Sequence, residues 1–250
     1  MLTGKRIWLI GASEGIGAAL AAYLAKQGAQ LALSARNAVK LNEVMNALDS
    51  KGHIVAPLDV TDFATIQAAW SKIHETWPNV DMVIYNAGVY DPMNAREFDL
   101  AKLEHMVDIN FRGALRVCSI VLPDFLRRNQ GHIALVGSVA GYRGLPSAQG
   151  YGSSKAALIH LAENLKADLS DTHIKVQLIN PGFVATRLTA KNTFQMPFII
   201  TPEKAAQAIV EGLNGSSFEI HFPKRFSYFL KVLSLLPDRI YFILLKLLKF

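Results

Sequence analysis

Short apolar runs alternate along the chain with longer segments whose apolar residues recur at helical spacing. The runs lie at 6–10, 30–34, 53–57, 82–85, 132–136 and 175–179, with a shorter one at 219–222. They are nearly continuous in Val, Ile, Leu and Ala, the pattern of strands buried on both faces. The helical segments lie at 16–27, 39–51, 61–76, 100–128, 151–170 and 202–213. Strands alternating with helices predict right-handed βαβ units, hence an α/β fold of about seven parallel strands with helices on both faces. Such sheets bind ligands at the carboxyl ends of their strands. Polar and glycine-rich motifs are therefore sought there.

The first such motif is Gly11-Ala12-Ser13-Glu14-Gly15-Ile16-Gly17, placed between the first strand and the first helix. Glycine allows a tight turn and lets a pyrophosphate approach the amides at a helix start, where the dipole favours anions. This position makes the predicted fold a Rossmann-type, doubly wound parallel sheet that binds a dinucleotide. Cofactor choice is read at the end of the second strand, Leu33-Ser34-Ala35-Arg36-Asn37. No acid stands there to bind a ribose 2′-hydroxyl, and the Arg36 guanidinium suits a 2′-phosphate. NADP(H) is thus favoured over NAD(H). Glu14 argues the other way, as an acid in the glycine turn near that phosphate.

Three further motifs end strands. Asp59, with Val60, either accepts from an adenine amino group or belongs to the cap of the next helix. Asn86-Ala87-Gly88 keeps the fourth strand end small beside a cofactor. Val136-Gly137-Ser138 places a hydroxyl at the end of the fifth strand. Thirteen residues later comes Tyr151-Gly152-Ser153-Ser154-Lys155, whose Tyr151 and Lys155 share one helix face. A neighbouring ammonium is expected to lower the phenol pKa from its usual value of about 10 and let it exchange a proton with an alcohol or carbonyl oxygen.

Taken together, Gly11-x3-Gly15-Ile16-Gly17, Asp59, Asn86-Ala87-Gly88, Asn110, Ser138, Tyr151-x3-Lys155 and Pro181-Gly182 resemble the short-chain dehydrogenase/reductase family over roughly residues 4–222. The resemblance implies that Tyr151 is the acid/base, that Ser138 orients the carbonyl and that Lys155 also binds the nicotinamide ribose. It implies that Asn110, in a bent helix, holds a water extending the proton relay. It also implies that Pro181, Gly182, Val184 and Thr186 pack on the nicotinamide. The expected activity is an NADP(H)-dependent interconversion of a carbonyl and an alcohol. The family commonly forms dimers or tetramers, so a homodimer or homotetramer is expected.

Composition adds limits. With 250 residues, 51% hydrophobic and 18% charged, the chain has material for a core and no sign of disorder. One cysteine excludes an internal disulfide and a multi-cysteine zinc site. Met1 to Arg6 run straight into a strand, so no cleavable signal peptide is read and a cytoplasmic location is expected. Residues 1–223 are read as the dinucleotide-binding and catalytic domain and 224–250 as a basic amphipathic extension. Of the net charge of +6, the extension carries +5, from six basic residues and Asp238. The body is electrostatically ordinary, and nucleic acid is not expected as a partner.

The substrate is expected to be lipophilic, because 190–201 holds Phe194, Met196, Pro197, Phe198, Ile199 and Ile200. These residues form either an apolar lid or a buried helix flank. The extension is split at Pro237-Asp238, and its longest apolar run is six residues, 240–245, too short to span a membrane. Arg239, Lys246 and Lys249 are read on one side of its second piece, opposite Ile243, Leu244, Leu247 and Phe250. Three readings stay open: the extension lies on the inner face of a membrane, packs on a second subunit, or covers its own active site. A rival of another class is a catalytically silent, NADP(H)-sensing or membrane-recruited scaffold, against which the full set Asn110, Ser138, Tyr151 and Lys155 argues.

Overall fold

The computed structural model describes residues 2–49, 51–192 and 194–247. Lys249 and Phe250, assigned above to faces of the extension, lie outside the described residues.

Seven parallel strands form one sheet: β1 (Arg6–Ile10), β2 (Gln30–Ser34), β3 (Ile54–Val55), β4 (Met82–Tyr85), β5 (Gly131–Val136), β6 (Ile174–Pro181) and β7 (Glu219–Phe222). Their order is β3-β2-β1-β4-β5-β6-β7. The chain thus winds outward from β1 to one edge, crosses back, and winds out to the other. The reversal between β1 and β4 opens a crevice at their carboxyl ends.

Both faces of the sheet are covered. Helices α1 (Gly15–Lys26), α2 (Ala38–Asn46) and α7 (Pro202–Asn214) cover one face. There Leu20, Leu24, Leu41 and Ile209 pack on Ile7, Leu9 and Leu31. Helices α3 (Phe63–Thr76), α5 (Gly113–Arg128) and α6 (Gln149–Asp168) cover the other. Ile66, Ile73, Val117, Phe125 and Leu158 meet Trp8, Val83 and Ile133 there. With both faces dry, the strands need unbroken apolar runs, which is why the sequence displays them.

Two elements differ from the sequence expectation. The third strand keeps only two residues of 53–57. His53 takes the Leu31 N–H on its ring Nδ1 at 3.1 Å, and Pro57 has no N–H to pair. The segment 100–128 is not one α-helix. It runs as α4 (Leu100–Val107), a π-helical turn (Asp108–Arg112) and α5. Such turns are rare and concentrate at functional sites.

The extension forms α8 (Lys224–Ser234) and α9 (Asp238–Leu247), separated at Pro237. Phe226, Leu230, Leu233, Tyr241 and Leu245 make a third small core with Val139, beside the β5 end. The facing of α9 therefore departs from the expected one. Tyr241 and Leu245 point inward, whereas Ile243 and Leu247 are exposed beside Arg239 and Lys246.

Candidate active site

The glycine turn is built so that its backbone lies open to the crevice. Gly11 has φ +88°, and a Cβ there would come within 2.6 Å of the Ala87 nitrogen. A Cβ on Gly17 would stand 1.9 Å from the Gly11 carbonyl oxygen. Asn86 Nδ2 donates to that same Gly11 oxygen at 2.8 Å, tying the β4 end to the turn. Helix α1 starts at Gly15 with Glu14 at its N-cap, and no side chain caps it. Its first amides are thereby left to an anion.

A cleft of about 430 Å³ runs along the strand ends. Its walls carry Gly11, Ser13, Glu14, Gly15, Ile16, Arg36, Asn37, Asp59, Val60, Asn86, Ala87, Gly88, Tyr151, Lys155, Pro181, Gly182, Val184 and Thr186. Gly17, Asn110 and Ser138 are buried behind this lining. The sequence-derived residues, scattered over 175 positions, thus come together around one space.

Several of them already serve the fold. The Asn37 carboxamide oxygen caps α2, accepting from Lys40 N at 3.0 Å. Asp59 Oδ1 accepts from Thr61 N at 2.9 Å and Thr61 Oγ1 at 2.8 Å, while Asp62 caps α3. Between the two readings of Asp59, the turn is thus occupied by one of its oxygens, and its residue still lines the cleft. Thr186 N donates to Thr189 Oγ1 at 3.0 Å, tightening the loop after β6, whose Thr186 side chain lies beside Gly15.

Glu14 is not a bare acid. Its carboxylate meets Lys40 Nζ at 3.0 Å and Arg187 Nη2 at 2.8 Å. The Lys40 hydrogen bond, followed by Arg187, holds its pKa below the ordinary range despite partial burial. The cleft wall therefore carries Arg36, Lys40 and Arg187 beside Glu14. Lys40 and Arg187 were missed in the sequence. Their only signals are a cation in the first turn after the second strand and one directly after Thr186.

The cleft wall also carries Tyr151 and Lys155, with Ser138 buried nearby. Ser138 caps a short 3-10 turn (Val139–Gly141), its Oγ accepting from Ala140 N at 3.1 Å. The same hydroxyl lies within hydrogen-bonding reach of the Tyr151 hydroxyl. Lys155 is almost completely buried, and its Nζ donates to the Val136 carbonyl at 2.7 Å. It stands 5.7 Å from the centre of the Tyr151 ring. Burial pushes the Lys155 pKa down to about 8.

The expectation that Lys155 lowers the Tyr151 pKa is not met in this arrangement. Burial raises the Tyr151 pKa above the ordinary phenol value, the Ser138 hydrogen bond opposes this, and Tyr90 adds to it. The reason is geometric: the ammonium donates to Val136 O and lies over the ring face rather than at the phenol oxygen. Tyr90 meets Tyr151 edge-on, with centroids 5.1 Å apart, and its hydroxyl donates to Asn192 Oδ1 at 2.9 Å.

Asn110 lies in the π-helical turn and is fully buried. Its Oδ1 accepts from Val89 N at 2.8 Å, and its Nδ2 donates to Val89 O at 3.0 Å and Ser154 Oγ at 2.9 Å. Its side chain thus locks the strand-end loop to the helix that carries Tyr151. Ser154 was given no role in the sequence reading, since a serine inside a helix carries no distinctive spacing.

The loop after β6 carries aromatic side chains that cluster with α8. Phe183 packs on Phe194 at 5.8 Å and on Phe226 at 5.3 Å, and Phe198 lies 6.3 Å from Phe226. Phe194, Phe198 and Ile199 are exposed. Of the two readings of 190–201, the buried flank is therefore excluded for these three residues.

Comparison with known proteins agrees with this geometry. The family described as short chain dehydrogenase matches residues 5–196. An uncharacterized oxidoreductase of Myxococcus xanthus is 33% identical over 233 residues, covering 92% of each chain. The closed form of a serine dehydrogenase complexed with NADP+ superposes with a TM-score of 0.79 at 26% identity, over 87% of this chain and 94% of that one. A short-chain dehydrogenase/reductase of Burkholderia phymatum in complex with NAD shares the fold, with a TM-score of 0.82 at 23% identity and 92% of each chain. From its sheet order, its glycine turn and these matches, the chain belongs to the short-chain dehydrogenase family of oxidoreductases.

Proposed function

We propose that the protein is an NADP(H)-dependent oxidoreductase that interconverts a carbonyl and an alcohol on a lipophilic substrate. One observation carries this reading: Tyr151 and Lys155 line the same cleft as the glycine turn and the cations Arg36, Lys40 and Arg187.

The residues fit a dinucleotide. The uncapped start of α1 and the Cβ-free turn at Gly11–Gly17 would receive the pyrophosphate. Asp59 and Val60 would border the adenine, with Asn86, Ala87 and Gly88 keeping room beside the ribose. Arg36, with Lys40, would hold a 2′-phosphate by charge-assisted hydrogen bonds. The pairing of Glu14 with two cations removes its objection to that phosphate. The NADP+ held by the serine dehydrogenase relative supports the same choice. Pro181, Gly182, Val184 and Thr186 would face the nicotinamide end.

When bound, the cofactor supplies or accepts the hydride. Ser138 holds the substrate oxygen by its hydroxyl. Tyr151 gives its phenolic proton to that oxygen on reduction and takes it back on oxidation. Lys155 binds the nicotinamide ribose. Asn110 fixes the loop at Val89 against the Tyr151 helix, keeping the crevice in shape and serving the proton relay. The aromatic group Phe183, Phe194 and Phe198 receives the apolar part of the substrate and excludes water.

A homodimer or homotetramer in the cytoplasm is in keeping with the family, and the extension offers a contact with a membrane surface. The reading is tested by NADPH consumption against ketones and 3-ketoacyl thioesters of increasing chain length. Rates that climb with chain length support it. Turnover of short or polar carbonyls alone removes the lipophilic substrate. Silence across the series, with NADPH bound, removes the reductase.

A further inference from the structure

Helices α8 and α9 bury one stripe each and leave the other uncovered. Their buried stripes, Phe226, Leu230 and Leu233 on α8 and Tyr241 and Leu245 on α9, converge on one small core. Both outer faces are therefore turned away from the body. On α8 that face carries Tyr228, Phe229 and Val232, followed at its end by Leu235, 84% exposed. On α9 it carries Ile240, Phe242, Ile243 and Leu247, the last 70% exposed. Soluble surfaces scatter such side chains singly, and a contiguous set marks a contact surface.

The charges choose the contact. Lys224, Arg225, Arg239 and Lys246 are exposed among these apolar residues and make no ion pair among the described residues. The single acid, Asp238, is taken by Arg143. A two-fold pairing of this face with a second copy would set its cations against themselves. Apolar side chains rimmed by unpaired cations fit instead the headgroup region of an anionic bilayer. The helices have 11 and 10 residues, about 15 Å each at 1.5 Å per residue, and among the described residues no helix is long and apolar enough to cross a membrane. They suit lying in the interface.

We propose that α8 and α9 form a seat that docks the protein on an anionic lipid surface. The seat is rigidly joined to the reaction end of the cleft. Arg143, five residues after Ser138, donates to Ser234 O at 3.0 Å and Leu236 O at 2.6 Å, and its guanidinium stacks 3.9 Å from the Tyr241 ring centre. Tyr241 in turn donates to Gly144 O at 2.6 Å. Phe226 of α8 packs on Phe183 and lies beside Phe198 in the aromatic loop after β6. Docking thus brings that loop to the lipid. This gives the lipophilic substrate proposed above a route in, but the docking itself does not depend on that activity.

The test is co-sedimentation of the full chain with vesicles of phosphatidylcholine alone and of phosphatidylcholine with 30% phosphatidylglycerol, at about 0.05 and 0.3 M salt. Binding is expected on the anionic vesicles only, weakening with salt. Arg239→Gln and Lys246→Gln each lower the partition about five-fold. Phe242→Ser with Ile243→Ser lowers it more than about ten-fold, since both side chains are exposed in the free fold. Turnover of a soluble ketone in these variants stays at the wild-type level, which separates this proposal from the catalytic one. Failure to bind anionic vesicles, or equal binding to neutral ones, overturns it. So does a solution oligomer that dissociates in the Phe242→Ser, Ile243→Ser variant, because the face then belongs to a second copy.

Discussion

Lys155 holds an ammonium where burial disfavours it, and that leaves a measurable mark on stability. Its pKa falls from 10.5 to about 8. The difference of roughly 2.5 units corresponds to about 3 kcal/mol, at about 1.36 kcal/mol per unit. Between pH 8 and 10.5 the unfolded chain still binds the Lys155 proton, whereas the folded chain has released it. The unfolded state then binds more protons, so stability rises with pH through that window. Below pH 8 both states are protonated and the full penalty is present. Lys155→Met removes the charge and keeps most of the length. It also leaves the buried Val136 carbonyl without its donor, which offsets about 1 kcal/mol of the gain. The cofactor-free variant should therefore be more stable by about 2 kcal/mol at pH 7, or about 4–8 °C in melting temperature for a chain of this size. The advantage should close or reverse near pH 10. Scanning calorimetry of both cofactor-free proteins at pH 7, 8.5 and 10 measures it, with loss of turnover expected in parallel. A variant that melts below the wild type at pH 7, or a gap constant from pH 7 to 10, would refute the reasoning.

Other expectations follow from the same geometry. Tyr151→Phe should lower kcat by about 10²–10⁴-fold while NADPH binding, followed by fluorescence titration, stays within about three-fold; near-normal turnover would remove the phenol from the chemistry. Arg36→Ala and Lys40→Ala should each weaken NADPH by about 10–100-fold and leave NADH nearly unchanged, the size of a lost charge-assisted hydrogen bond. Equal weakening of both cofactors would place the cations elsewhere. Gly17→Ala should weaken both cofactors together, because its Cβ would stand 1.9 Å from the Gly11 oxygen and force the turn apart; unchanged titrations of both would show that the turn adapts.

The parts legible in the sequence are those set by local pattern. The strands were readable because burial on both faces demands unbroken apolar runs, and the glycine turn because its backbone needs particular residues at particular offsets. The third strand was read too long, since pairing at a sheet edge depends on which acceptor the Leu31 N–H finds, here the His53 ring. The π-helical turn at Asp108–Arg112 was invisible to periodicity, because one extra residue in a turn hardly disturbs an apolar stripe. The Lys40–Glu14–Arg187 cluster joins residues 26 and 173 positions from Glu14, and no spacing rule reaches so far. The extension was recognised as amphipathic, yet its inward face was misplaced. Both possible faces of α9 are apolar, and only the groove beside Val139 decides that Tyr241 and Leu245 enter it.

The ionisation of Tyr151 carries a directional consequence. Burial holds its proton above the ordinary phenol range, against the pull of the Ser138 hydrogen bond. At neutral pH the cleft therefore presents a protonated phenol. That is the form required to donate to an oxygen gaining charge as a carbonyl is reduced. Oxidation of an alcohol needs the phenolate, which is scarce until the pH approaches the raised pKa. With saturating cofactor, the oxidation rate should climb about tenfold per pH unit from neutrality upward, whereas the reduction rate stays level until alkaline pH depletes the acid. Initial rates in both directions from pH 6 to 10 measure this. A flat oxidation profile above pH 7 would mean that the phenol is already ionised in the loaded enzyme. The Lys155 ammonium would then have turned from Val136 toward the ring.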